Sequence, residues 1–285
     1  MWYLTKIPKI AHFYWGNTIL SWLRYMTIKS FSLCNPDWKI QLFIPRQLFS
    51  GGYMWEQNAG AQPVTYAKDY MIDVVKIPNL EVITEDFSTN GIGDLPEVFR
   101  SDLLRLRLLG TQGGFWSDMD VIHFRPFSGA YFNTLATKEV DTILSYTNKR
   151  HHYSIGYMFG CENNAFYKFL YERGLEELKS DGDRQTFGIR LWDKYFKTPN
   201  DIKSAYPHLN LFNIELDASY SFIFLQLEQI FNQVHNIPNP RTIALHYYGG
   251  HPIACTWEKI LTEHNFNQYQ STILNCIKRA LAYAH

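Results

Sequence analysis

The chain carries no surplus of either charge. Lys and Arg total 27, Asp and Glu total 27, and the formal net charge over 285 residues is +0. Proteins that bind nucleic acid by neutralising phosphates carry a basic excess, as do polybasic membrane anchors, so the balance argues against both classes. Cysteine is scarce: Cys34, Cys161, Cys255 and Cys276 contain no C-x-x-C and are spaced too widely for a zinc site. A disulfide framework is not expected at this length, and a reducing cytoplasm is the expected location. No stretch approaches the ~20 apolar residues of a membrane-spanning helix. The opening MWYLTKIPKIAHFYWG places Lys6, Pro8 and Lys9 inside any would-be signal-peptide core. A G-x-x-x-x-G-K-[ST] phosphate loop, internal repeats and low-complexity tracts are all missing. What the chain has instead is apolar mass. Hydrophobic residues make up 46% and aromatics 16%, which rules out intrinsic disorder and suggests a large core plus stacking surfaces suited to a sugar or a nucleobase.

The pattern along the chain predicts an α/β fold. IPKIAHFYW (7–15) reads as a buried strand, residues 19–33 as a helix stopped by Asn35-Pro36, and WKIQLFI (38–44) as a second strand. Strand, helix and strand in so short a span indicate a parallel βαβ unit. Residues 46–78 suggest short helices in a loop-rich region, and LEVIT (80–84) a third strand. Residues 95–112 read as a helix closed by Gly113-Gly114 as a left-handed cap, followed by a strand over 115–124. Strands are expected at 141–146, 152–160 and 244–248, and helices at 165–179, 185–197 and 258–284. No linker stands out, so one domain over 1–285 is expected, with halves 1–125 and 126–285.

The chemistry centres on Asp118-Met119-Asp120. On a strand, alternate residues share a side, so Trp116, Asp118 and Asp120 are expected to point together. Two carboxylates a few ångströms apart repel unless a cation compensates them. A hard divalent ion is the natural partner, Mg²⁺ or Mn²⁺; otherwise the pair marks a strand end entering solvent. Asp102 and Arg105 stand three apart on the preceding helix and share a face, either as an ion pair or as ligand contacts.

RSDLLRLRLLGTQGGFWSDMDV (100–121) is similar to the DxD region of glycosyltransferases with a GT-A fold. The pattern S-D-x-x-R-x-x-x-L-x-x-x-G-G-x-aromatic-x-D-x-D is filled by Ser101, Asp102, Arg105, Leu109, Gly113, Gly114, Trp116, Asp118 and Asp120. The resemblance is to the sugar-binding DxD family, which includes capsular polysaccharide enzymes, α-glycosyltransferases and glucosylating bacterial toxins. IPKIAHFYWG (7–16) resembles that family's opening I-P-K-x-I-H-x-x-W-x-G, and ALHYYGGHPIACTW (244–257) its late H-x-x-x-G-S-W element, with Thr256-Trp257 in place of Ser-Trp.

The resemblance implies a GT-A, Rossmann-like fold, a mixed central sheet flanked by helices that binds a nucleotide sugar. It implies a divalent metal, Mn²⁺ or Mg²⁺, and hexosyl transfer with retention to a hydroxyl acceptor. Asp120 would bind the metal, and Asp118 the metal, ribose or sugar. His246, or alternatively His251, would be the late metal ligand or diphosphate contact. Asp102 would hold donor hydroxyls and Arg105 a phosphate, with Ser101 and Trp116 lining the donor site. Trp15, beside Tyr14 and Gly16, would stack on the base, while His12 reads as a hydrogen-bonded core residue. UDP is the first donor expected and GDP the next. The acceptor is a glycan, a lipid-linked sugar or a protein side chain, and polysaccharide biosynthesis is the expected setting. The 258–284 helix either packs on the core or touches a membrane surface peripherally. Two rivals remain: a nucleotide-sugar hydrolase, and a non-catalytic carbohydrate or nucleotide binder on the same scaffold. The basic run Lys149-Arg150-His151-His152 is a solvated loop or an acceptor contact.

Overall fold

The computed structural model describes residues 6–17, 19–50, 66, 68–128, 139–147, 152–178, 187–214, 219, 222–237, 239 and 241–284. The strands are β1 Ile10–Tyr14, β2 Lys39–Pro45, β3 Leu80–Glu85, β4 Gly114–Ser117, β5 Val121–His123, β6 Thr142–Thr147, β7 His152–Tyr153, β8 Tyr157–Gly160, β9 Leu211–Ile214 and β10 Ala244–His246. The helices are α1 Trp22–Cys34, α2 Met71–Val74, α3 Glu97–Thr111, α4 Ala165–Glu177, α5 Ile189–Tyr195, α6 Pro199–Ala205, α7 Leu227–Phe231, α8 Pro252–Ile260 and α9 Thr272–Leu281.

The main sheet runs β3-β2-β1-β4-β8-β6-β7, with β9 added on β6; β5 and β10 form a separate pair. Strands β3, β2, β1 and β4 are parallel, whereas β8 is antiparallel to both β4 and β6. The sheet is therefore mixed, as expected. Its centre is apolar on both faces. Phe13 and Trp15 enter one buried cluster with α1 and α9 residues, while Tyr14 enters another with Leu103, Leu104, Phe166 and Leu170 of α3 and α4. This follows from the period of two along a strand.

Local chemistry sets the boundaries. The Ser21 hydroxyl caps α1 by accepting from Arg24 N at 3.2 Å. At the end of α3, Gly113 has φ +67° and its N–H bonds Leu108 O at 3.1 Å; a β-carbon there would also strike the Cys161 backbone. Only glycine fits both demands.

Three expectations are corrected. The strand over 115–124 breaks into β4 and β5. The strand over 152–160 breaks into β7 and β8 around Gly156. The C-terminal helix is two helices: Leu261 is extended at φ −78° and ψ 136°, and the Ser271 hydroxyl caps a new start at α9. Helix α9 buries Thr272, Ile273, Leu274, Cys276, Ile277 and Ala280, so its apolar face packs on the core. Among the described residues, no helix is long and apolar enough to cross a membrane. The run 149–151 lies outside the described residues, as does 215–218.

Candidate active site

The site forms where β4 ends. Asp118, Met119 and Asp120 make a turn rather than continuing the strand. Asp118 N donates to Gly156 O at 2.9 Å and Tyr247 N donates to Asp120 O at 2.9 Å. The Thr27 hydroxyl of α1 donates to Met119 O at 2.9 Å, and the Ser117 hydroxyl to Asp118 O at 3.0 Å. Met119 is buried in the core, whereas the side chains of Asp118 and Asp120 keep 30% and 15% exposure. The turn resolves a conflict that a continuous strand could not, because it buries the apolar residue and leaves both carboxylates only partly buried.

Pairing of β5 with β10 places His246 opposite Val121, next to Asp120. His246 Nε2 lies 3.0 Å from Asp120 Oδ1, and Gly249 N donates to Asp120 Oδ2 at 2.8 Å. One ligand atom each from Asp118, Asp120 and His246 lie within 4.8 Å of one another. Two carboxylates and an imidazole on this spacing fit a divalent ion of the Mn²⁺ or Mg²⁺ kind. Burial pushes the Asp120 carboxyl up, but His246, Arg24 and the Gly249 N–H outweigh it and hold the group well below the usual carboxylate range. His251 stands outside this group: it caps α8, its Nδ1 accepting from Ile253 N at 3.2 Å. Trp257 is also elsewhere, stacked on Phe231 at 6.0 Å within the helical layer.

Helix α3 supplies the second wall. Arg105 pairs with Asp102 at 2.7 Å and with Asp118 at 3.3 Å, and donates to Ile155 O at 2.7 Å. Its guanidinium lies 5.1 Å from the Trp116 ring and reaches the Ser101 hydroxyl at 3.4 Å. The Trp116 Nε1 donates to Asp118 Oδ1 at 2.9 Å, so these two do share a side even though the strand has ended. Burial, reinforced by the Asp118 charge and opposed by Arg105, pushes the Asp102 carboxyl up to about 6.

The opening motif lies deeper. Trp15 is 1% exposed and its Nε1 donates to Ile19 O at 3.0 Å. Tyr14 is buried on the opposite face of the sheet, its hydroxyl donating to Glu97. Gly16 packs against the Glu97 side chain. His12 is a buried residue whose Nε2 meets Gly113 O at 2.7 Å. Two further ion pairs lie close to the motif residues: the first has the i,i+3 spacing of a helical pair, and the second joins distant parts of the chain. Glu97 and Arg100 pair at 2.9 Å, both 2% exposed, and Arg24 and Glu258 pair at 2.8 Å. A cation inside the apolar stretch Trp22-Leu23-Arg24-Tyr25-Met26 is the only local hint of the second pair.

No family model and no curated protein matches the chain. Among solved structures it is similar to the PaToxG glycosyltransferase, with a TM-score of 0.51 at 15% identity, covering 96% of this chain and 87% of that one. This is the GT-A fold. The apo-form glycosyltransferase GlyE of Streptococcus pneumoniae TIGR4 gives 0.43 at 11% identity, covering 96% of this chain and 60% of that one. An active-site mutant of LgtC gives 0.37 at 10% identity, covering 84% of this chain and 86% of that one.

Proposed function

We propose that the protein is a metal-dependent glycosyltransferase that moves a hexose from a nucleotide sugar, UDP-linked in the first instance, to a hydroxyl acceptor with retention. The observation that carries this reading is the convergence of Asp118, Asp120 and His246 within 4.8 Å, beside Arg105, on a GT-A fold. A divalent ion held by these three side chains would act as a Lewis acid toward the diphosphate leaving group.

The protein's own residues orient that chemistry. Arg105 and the Trp116 Nε1 fix the Asp118 carboxylate from behind, and Asp102 in turn fixes Arg105. Asp120 is held at one oxygen by His246 and at the other by the Gly249 N–H, so it stays ionised. Asp102 and Ser101 are assigned to donor-sugar hydroxyls; at 4% and 2% exposure they reach a donor only when the site opens on binding. Trp15 is assigned to the base; its closed ring means that stacking requires the cover over it to open on binding. The acceptor is a glycan, a lipid-linked sugar or a protein side chain. Cysteine usage supports a cytoplasmic location.

Thermal-shift measurements test the reading, using UDP, UDP-sugars, GDP and GDP-mannose with and without Mn²⁺. A ligand that binds only the folded state raises the melting temperature. A shift that needs both a nucleotide and Mn²⁺ supports a transferase and names the base. No shift with any nucleotide would sink the assignment.

A further inference from the structure

Arg24 enters the reading above only through its charge near Asp120, and Glu258 has no part in it. Their side chains are 7% and 3% exposed and pair at 2.8 Å. Ser21 binds them together: its hydroxyl accepts from Arg24 N at 3.2 Å and donates to Glu258 Oε2 at 3.0 Å. Tyr66 donates its hydroxyl to the same oxygen at 3.2 Å. The guanidinium carbon lies 5.2 Å from the Trp15 ring and 5.7 Å from the Tyr247 ring. A β-carbon at Gly249 would collide with the guanidinium, so the loop rests directly on Arg24. That same Gly249 donates its N–H to Asp120 Oδ2 at 2.8 Å. Glu258, Arg24, Gly249 and Asp120 therefore form one continuous series of contacts between α8, α1, the β10 loop and the DxD turn.

Stability is a poor reason for such a pair. Apolar residues of similar volume in a buried site commonly serve stability as well as an ion pair does. What an ion pair does and an apolar pair cannot is act at a distance, because a buried charge is weakly screened.

We infer that Arg24 and Glu258 are an opposed couple of positioning residues that set the field at the donor diphosphate. Arg24 favours the anionic nucleotide and opposes the cation on Asp120, and Glu258 trims that effect. Both are engaged by protein groups, Arg24 by Glu258 and Glu258 by Ser21 and Tyr66, so they act on the ligand through their charge. The inference rests on the nucleotide-sugar reading.

The test uses the full chain and two probes. Mn²⁺ alone is followed by electron paramagnetic resonance, and UDP at saturating Mn²⁺ by calorimetry, with GDP in its place if UDP does not bind. Arg24→Met should weaken nucleotide binding roughly fivefold and leave Mn²⁺ binding equal or tighter. Glu258→Gln should do the reverse, tightening the nucleotide and weakening Mn²⁺. Arg24→Lys, which keeps the charge, should restore most of the nucleotide affinity. If both variants weaken both ligands, the pair is only structural and the inference fails. If Arg24→Met does not fold, the near-isosteric Glu258→Gln decides alone, and a weaker or unchanged nucleotide affinity overturns the inference. A wild-type chain that binds neither Mn²⁺ nor a nucleotide brings down the inference and the transferase reading together. A wild-type chain that binds both, with no change of opposite sign in the variants, brings down the inference only.

Discussion

His246 meets Asp120 at 3.0 Å although 126 residues separate them in the chain. The contact depends on two three-residue strands, β5 and β10, whose register sets His246 against Val121. Across it the Asp120 carboxylate is engaged at both oxygens and stays ionised.

Asp120→Asn should therefore remove Mn²⁺-dependent nucleotide binding while the protein stays folded. The substitution keeps the shape and the acceptor oxygen for Gly249 but loses the charge, and metal affinity should fall by at least roughly tenfold. Calorimetric Mn²⁺ titration, paired with a melting curve, checks both halves. Wild-type affinity in the variant would exclude Asp120 as a ligand.

Trp15→Ala carries two expected losses. The ring lies in the core, so its truncation should cost about 3–5 kcal/mol in urea unfolding. If the ring also stacks on the base, folded variant protein should bind nucleotide more weakly as well. Normal affinity in the folded fraction would leave Trp15 with a packing role alone.

Acid should unfold the protein through its buried histidines. Burial lowers the His12 ring to about 4 and the His123 ring to about 3, from an ordinary value near 6.5. The unfolded chain thus binds more protons below pH 6.5. The stability these rings contribute is complete above 6.5 and is lost as pH falls toward 4 and 3. At pH ~4.5 the two together cost about 5 kcal/mol relative to neutrality. His123 lies among Phe31, Phe115, Phe127 and Tyr157, so His123→Phe should remove about half of that loss. Urea midpoints from pH 7 to 4.5 give the answer, and an unchanged slope in the variant would clear His123.

Glu97 holds Arg100 at 2.9 Å, accepts from Phe49 N at 2.8 Å and accepts the Tyr14 hydroxyl. Glu97→Ala strands a buried guanidinium, at a cost of about 3–5 kcal/mol. Glu97→Gln, which keeps hydrogen-bonding capacity, should cost less. Equilibrium unfolding of the two variants would contradict this if their losses were equal and small.

What can be read from the sequence is what local rules control. The α3 segment shows itself through apolar residues at helical spacing, and its end through glycines at positive φ. The central strands show themselves as short apolar runs. The DxD turn does not, because Phe115-Trp116-Ser117 and Val121-Ile122-His123 flank it with uninterrupted strand-like residues. What breaks the strand is distant: the Thr27 hydroxyl on Met119 O, Gly156 O on Asp118 N and Asp120 O on Tyr247 N. The helix break after Leu261 is hidden for a related reason, since the caps that divide it, Asn265 on Thr262 N and Ser271 on Leu274 N, sit inside a polar run compatible with helix. Tyr14 and Trp15 are adjacent in a motif, but strand alternation sends them to opposite faces. The Arg24–Glu258 pair joins two distant parts of the chain, and its one local trace is a cation inside an apolar stretch.

The separation of the cluster's members along the chain also governs when the site can exist. A growing polypeptide acquires both aspartates early, yet has no third donor until β10 has been made and zipped against β5. Pairing across such a separation must meet its closure entropy before any contact rewards it, so it belongs late in folding. On the proposed reading, metal capture would report a finished tertiary structure, and partly folded chains would be spared from holding a reactive sugar donor.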